Sequence, residues 1–309
     1  MSPTIPPPRE SGTVPANDVP LYWAAWGPSG APRILVLHGG PGAHHDYLLP
    51  QLLRLAERHD AVFYDQRGGG RSKFDNLATV TWRTQVEDLA HVADALVDGP
   101  LHLVGYSWGA LLAMLYALEA AGVHLPVVGA PLGEVHRVIA RPPASLTLID
   151  PAPLSRTHRN DFETEFARRQ QSSAVQALRA ELTASGLRER DPDAYRQRAF
   201  ELSVAGYFHD SARARDLTPF RVTGRVQQSV WESLGDFDLL PHLKAITCPT
   251  LIVHGRQDPI PLASAEAAAR AIPAARITVL EESGHVPYVE QPDALFAAVL
   301  PFLAEVTGA

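Results

Sequence analysis

Short apolar runs alternate with longer stretches of helical period along most of this chain. The runs at 21–26, 34–37, 61–64, 101–105 and 146–149 are nearly continuous in apolar residues and lack the in-out alternation of a half-solvated strand. Strands of that kind are buried on both faces, as in a parallel sheet covered by helices. Segments of helical period at 45–57, 82–96 and 108–120 lie between them. After residue 238 the alternation resumes, with strands expected at 250–254 and 276–280 and helices at 263–271 and 293–303. The pattern predicts an α/β protein with a mostly parallel central sheet and helices on both faces.

Between 155 and 238 the pattern breaks. This stretch is rich in Arg, Gln, Glu and Ala, contains no convincing buried strand, and offers amphipathic helices at 162–166 and 174–187. It reads as a helical cap inserted after the strand that ends at Asp150. The chain then divides into a first core part (1–154), the cap (155–238) and a second core part (239–309). Insertions there sit over the carboxyl ends of strands, where open α/β sheets bind ligands. The proline-rich start, 1–20, is expected to be an ordered but irregular tail. The connection 122–145 is much longer than the roughly 2–6 residues usual between helix and strand. It is either a cover for the site entrance or a surface excursion.

Composition narrows the class. With 309 residues, 46% hydrophobic and 20% charged, the chain can bury a sizeable core as an ordinary globular protein. A net charge of −7 gives no basis for a nucleic-acid partner. No run approaches the roughly 18 apolar residues of a membrane span, and the start lacks a charged-then-apolar secretory pattern. The expectation is a cytoplasmic protein with no membrane partner. The 13 histidines show no metal-ligand spacing, so neither a metal nor an organic cofactor is expected. Cys248 stands alone, which excludes an internal disulfide, and its apolar setting before Pro249 marks a small core residue.

The candidate chemistry centres on Gly105-Tyr106-Ser107-Trp108-Gly109, between the apolar run at 101–104 and the helical run from Ala110. A serine on a sharp strand-to-helix turn adopts a strained backbone and presents its hydroxyl above the sheet, with glycines giving the turn room. Such a hydroxyl needs a base, and the base needs an orienting carboxylate. Downstream, Asp258 follows the strand at 250–254 and His285 follows the strand at 276–280, which puts all three groups on one sheet edge. Asp150 also ends a strand and is the competing candidate for the acid. His102 and His254 lie in or beside strands and read as structural, and His38 reads as a loop-shaping residue. A developing oxyanion requires convergent backbone N–H groups. Trp108 is one expected donor, and the loop His38-Gly39-Gly40-Pro41-Gly42 supplies the other, with Gly40 preferred and Gly39 next.

These segments together resemble the α/β-hydrolase fold, and more narrowly the proline iminopeptidase group of serine aminopeptidases. The narrower resemblance rests on His38-Gly39-Gly40-Pro41-Gly42, on Asp65-Gln66-Arg67-Gly68-Gly69-Gly70-Arg71-Ser72, and on Ser107-Trp108-Gly109. It implies Ser107 as nucleophile, Asp258 as acid, His285 as base, and Gly40 and Trp108 as the oxyanion hole. It also implies release of N-terminal residues, often proline, from short peptides. The group anchors the substrate ammonium with glutamates. Here Pro259 and Gln227 occupy two positions where such glutamates stand, which leaves Glu232 and Glu201, with Gly39, as the substrate-binding candidates. Tyr106 also stands where many members have glycine. The leading expectation is a proline iminopeptidase-like serine hydrolase acting through an acyl-enzyme on a short-peptide or other small-molecule substrate. The alternatives are a carboxylesterase of small acyl compounds and a non-catalytic ligand-binding protein on the same fold.

Overall fold

A computed structural model describes residues 5–74, 76, 80–128 and 140–309. Eight strands form one sheet: β1 (Glu10–Ala16), β2 (Val19–Trp26), β3 (Arg33–Leu37), β4 (Asp60–Tyr64), β5 (His102–Tyr106), β6 (Ser145–Ile149), β7 (Thr250–Gly255) and β8 (Ala275–Leu280). Their spatial order is β1-β2-β4-β3-β5-β6-β7-β8. The first two strands and the β2–β4 pair are antiparallel, and every pair from β4 to β8 is parallel. Successive side chains supply opposite faces: Leu35, Leu37, Val62 and Leu103 enter one core, while Ile34, Val36, Phe63 and Val104 enter the other. Double burial is why the strands read as continuous apolar runs rather than alternating ones.

β1 corrects the expectation of an irregular start. Residues 10–16 pair with 19–25 as a hairpin, with Val14 opposite Leu21 and Pro15 opposite Pro20. Only Val14 and Ala16 of β1 turn fully inward, and its prolines hide the strand from pattern reading. Proline is tolerated there because β1 is an edge strand. The two-residue turn places Asn17 at φ +51°, a conformation asparagine adopts more readily than most residues.

The helix expected at 45–57 is instead two 3-10 turns, His45–Leu48 and Gln51–Glu57, separated at Pro50, which cannot continue the N–H ladder. The regular helices are α1 (Trp82–Leu96) and α2 (Trp108–Ala120) in the first part of the chain. Between β6 and β7 come α3 (Arg156–Gln170), α4 (Ser173–Ala184), α5 (Leu187–Arg190), α6 (Pro192–Val204) and α7 (Gly224–Leu234). The last three are α8 (Leu262–Ala271), α9 (Pro287–Glu290) and α10 (Pro292–Thr307). The helix expected at 174–187 ends earlier because Gly186 is left-handed, at φ +65°. The ends of the helical stretch meet: Ser155 bridges to Asp238, with Arg156 N–H donating to Phe237 O and Leu239 N–H to Leu154 O. No described helix is long and apolar enough to cross a membrane.

The chain runs outward from β3 to β4 and then returns to place β5 on the other side of β3. That reversal makes β3/β5 the switch point, and ligands of open α/β sheets bind beyond the carboxyl ends of the strands there. The β3 end is followed by His38-Gly39-Gly40, and the β5 end by Ser107.

The segment Asp65–Ser72 follows β4 and packs as a buried charged knot. Asp88 of α1 accepts two bonds from buried Arg67, Nε at 2.8 Å and Nη2 at 2.6 Å, and Asp18 accepts a third from Nη1 at 2.6 Å. Removing one partner of such a pair leaves an uncompensated buried charge. An Arg67→Leu substitution is therefore expected to lower stability by about 3–5 kcal/mol. Adding Asp88→Leu should recover part of that loss. Chemical denaturation of the two variants checks this, and equal stability of Arg67→Leu and wild type would refute it.

Candidate active site

Ser107 sits between β5 and α2 at φ +54° and ψ −116°, outside the regions ordinary residues favour. The turn is tight enough that neither flanking glycine has room for a side chain. A Cβ on Gly109 would collide with the Leu37 carbonyl, and one on Gly105 would lie 2.5 Å from the Gly109 carbonyl oxygen. The bend is pinned by Ser107 N–H to Ile149 O at 2.9 Å and Ala152 N–H to Ser107 O at 3.0 Å. Strain is thus held in place by two contacts from the end of β6 and the residues that follow it.

His285 Nε2 lies 2.9 Å from Ser107 Oγ, and its Nδ1 lies 2.7 Å from Asp258 Oδ2. With Asp258 ionised, Nδ1 must carry the proton, so Nε2 is left to accept from the serine hydroxyl. Burial opposes ionisation of Asp258, but His285, through its charge and its hydrogen bond, the His254 ring and the Ile260 N–H at 2.7 Å hold it below the usual carboxylate range. The histidine is fixed on three sides. Its N–H donates to Tyr207 O at 2.7 Å, its carbonyl accepts from Tyr106 Oη at 2.8 Å, and its ring lies beside those of Tyr106 and Tyr207 at 5.4 and 5.2 Å. Tyr106 therefore ties the serine turn to the histidine loop.

Asp150, the competing acid, lies behind this chain and does not touch His285. It is fully buried at φ +40°, with Oδ1 accepting from Gly255 N–H at 2.8 Å and Oδ2 without a partner. Its carboxyl, the His254 ring and Asp258 bring ligating atoms within 4.8 Å of one another. Burial and the neighbouring Asp258 charge push Asp150 well above the ordinary carboxylate range. His254 is held neutral by burial, and its Nε2–H is directed at Ile260 O at 3.1 Å.

The loop after β3 shows how the two backbone donors differ. Gly39 N–H is already spent on the Tyr47 hydroxyl at 2.8 Å. Gly40, at φ +68°, and Trp108 have N–H groups with no partner among the described residues. Both residues line one cavity with Ser107. No motif in the sequence signals what joins them. Gln66 accepts from the Trp108 indole N–H at 2.9 Å and donates through Nε2 to His38 O at 2.8 Å. One buried amide thus spans the two donor segments. His38 completes the brace, with Nδ1 2.9 Å from Gly39 O and Nε2 accepting from Gln66 N–H at 3.1 Å. Burial drops its pKa to about 4, so it is neutral and not a proton carrier at physiological pH.

The cavity over these groups has a volume of about 750 Å³, within the usual range for small-molecule sites. Its walls are aromatic: Phe162, Phe166, Phe200, Tyr207, Phe220 and Trp231 come from the helical stretch, and Tyr47, Tyr106 and Tyr288 from the sheet side. Neither expected glutamate lines it. Glu232 is exposed on α7 and accepts from Gln228 Nε2, and Glu201 pairs with Arg198 in a separate crevice between α4 and α6. The cavity instead receives Arg159 and Glu163 from α3, together with Gln227, one of the positions noted above as lacking a glutamate. Glu290 was also missed. Its carboxylate accepts from Gly284, His209 and Asp210 N–H at 2.7, 2.8 and 3.2 Å, joining the histidine loop to the helical stretch, and burial lifts it to about 7. Cys248 is partly buried against the core, and burial raises its thiol pKa. The described parts of 122–145 do not line the cavity, and residues 129–139 of that segment lie outside the described residues.

The fold has its counterpart in known proteins. The Alpha/beta hydrolase family matches residues 34–299. The chain belongs to the alpha/beta hydrolase family. It is 31% identical over 288 residues to a proline iminopeptidase of Heyndrickxia coagulans, covering 90% of this chain and 92% of that one. Among solved structures it is similar to a proline iminopeptidase-related protein of Thermus thermophilus, at TM-score 0.67 and 23% identity over 97% of this chain and 98% of that one. It is also similar to a proline iminopeptidase of Mycobacterium smegmatis, at TM-score 0.66 and 21% identity over 96% and 99%. This alpha/beta hydrolase is therefore proline iminopeptidase-like along nearly its whole length.

Proposed function

We propose that this alpha/beta hydrolase is a serine aminopeptidase that releases N-terminal residues, proline foremost, from short peptides. The observation that carries the reading is the Ser107–His285–Asp258 chain, at 2.9 and 2.7 Å, opening into a cavity beside the free N–H groups of Gly40 and Trp108. Ser107 Oγ attacks the scissile carbonyl while His285 Nε2 takes its proton. The oxyanion is held by Gly40 and Trp108 N–H. Collapse of the tetrahedral intermediate delivers the proton to the leaving amine and leaves the N-terminal residue as an ester on Ser107. Water, activated by the same histidine, then releases it. Residues 155–238 form the cap that excludes solvent, and the similarity to proline iminopeptidases supports the substrate class.

A substrate ammonium in this apolar cavity requires a carboxylate partner. Glu201 and Glu232 do not line the cavity, which removes both from that proposed role. A second reading, an esterase of small neutral acyl groups, has a specific observation in its favour. The walls are aromatic, and Glu163 already engages Arg159 Nε at 2.8 Å. The decisive comparison is prolyl arylamide against its N-acetylated form and a short p-nitrophenyl ester. Acetylation is expected to reduce kcat/KM at least about 100-fold, the scale of a lost charge-assisted contact and its orienting effect. Ester turnover without any preference for a free amine would decide for the esterase.

A further inference from the structure

Arg159 and Glu163 stand one helical turn apart on α3 and, apart from His285, are the titratable side chains of ordinarily charged type lining the cavity. Arg159 is held by Nε donating to Glu163 Oε1 at 2.8 Å and by its guanidinium stacking 4.2 Å from the Trp231 ring centroid. Its two Nη groups have no partner among the described residues. Neighbouring arginines of α3 differ. Arg156 Nη2 is spent on Gly235 O, Arg168 is spent on Glu165, and Arg169 is spent on Glu165 and Gln257 O. Only about a fifth of the Arg159 side chain is exposed, so its open fork is directed along a sheltered wall rather than into bulk water.

That wall leads back to the serine. Trp231 packs edge-on against Trp108 at 5.4 Å between centroids, and Trp108 directly follows Ser107. The guanidinium is therefore no farther from the Trp108 ring than these two separations laid end to end, a span that two or three peptide residues cover at about 3.3–3.6 Å each. A planar fork with both outer nitrogens free matches a carboxylate in bidentate geometry. We propose that Arg159 binds the free C-terminal carboxylate of a short peptide, on the leaving-group side of the scissile bond, and so selects small peptides over the ends of long chains. The inference deepens the aminopeptidase reading and rests on Ser107 as the attacking residue. Glu163 tempers the charge of Arg159 and keeps it in place. Trp231 fixes the plane in which it can accept the ligand.

The test uses Pro-Gly-Gly and its C-terminal amide, with calorimetric binding to the Ser107→Ala protein and kinetics on the otherwise unaltered protein. The free acid is expected to bind about tenfold or more tightly than the amide, with the preference appearing in KM and kcat little changed. Arg159→Gln should abolish the preference, and Arg159→Lys should restore part of it. Prolyl arylamide, which has no carboxylate, should keep its kinetic constants within about twofold in Arg159→Gln. Equal binding of acid and amide would overturn the proposal. So would an Arg159→Gln loss shared equally by acid, amide and arylamide, which marks a structural role. Failure of the aminopeptidase reading looks different: no amine substrate is turned over, yet acid and amide still differ in binding to Ser107→Ala.

Discussion

Ser107→Ala is expected to reduce turnover by about 10⁵–10⁶-fold, and adding His285→Ala to it should change little more. The reason lies in how the proton moves. Ser107 Oγ is 2.9 Å from His285 Nε2, so the attacking hydroxyl and the base that receives its proton work as one device, and removing either disables both. A residual rate above solution hydrolysis should survive, because the Gly40 and Trp108 N–H groups and the cavity remain. Steady-state rates of the single and double variants on one arylamide or ester check this. Additive losses would show that the two side chains act independently. Ser107→Ala turning over at the wild-type rate would sink the acyl-enzyme mechanism altogether.

The sequence showed the convergence of Ser107, Asp258 and His285 because each requirement is local. Each follows a strand whose apolar run is continuous, and parallel strands place all such loops at one edge. Gly105 and Gly109 likewise report a local steric demand. The braces were not legible because they join segments far apart in the chain. Gln66 meets Trp108 from 42 residues away, and Glu290 meets His209 from 81. No period or motif encodes such a pairing. The helical stretch between β6 and β7 was illegible for another reason. α3 and α6 carry polar residues almost all round and bury few of their own, so the pattern gives no helical phase. Without a phase, Glu201 could not be assigned to the α4 side rather than the cavity, nor Glu163 to the cavity rather than solvent. α6 itself carried a readable start, Asp191 as N-cap followed by Pro192, which the eye passes over in so polar a segment.

Asp258→Asn and Asp150→Asn are the same chemical change made about one side chain apart, and their expected outcomes are opposite. At position 258 an amide carries no negative charge and can turn its NH2 toward His285 Nδ1, so the imidazole loses the tautomer that leaves Nε2 free for Ser107. The expected loss in kcat is about 10⁴-fold with the fold intact. Asp150 is different because burial and the Asp258 charge push its pKa well above the ordinary carboxylate range and so favour its protonated form. Asparagine reproduces that protonated acid: its oxygen can accept from Gly255 N–H, and its amide can donate toward Asp258 and the unpartnered His254 Nδ1. It also tolerates φ +40° at least as well as aspartate. Activity should therefore fall less than about tenfold. Stability carries the sharper signature. A carboxyl whose folded pKa is raised contributes fully below its ordinary value, 3.8, and that contribution is lost as pH rises toward the folded value. The asparagine variant has no proton to lose, so its stability relative to wild type should rise by about 1.4 kcal/mol per pH unit across that window. Denaturation at a series of pH values rising from about 4.5 measures the slope. A flat difference, or an Asp150→Asn enzyme as crippled as Asp258→Asn, would place the working negative charge on Asp150 instead.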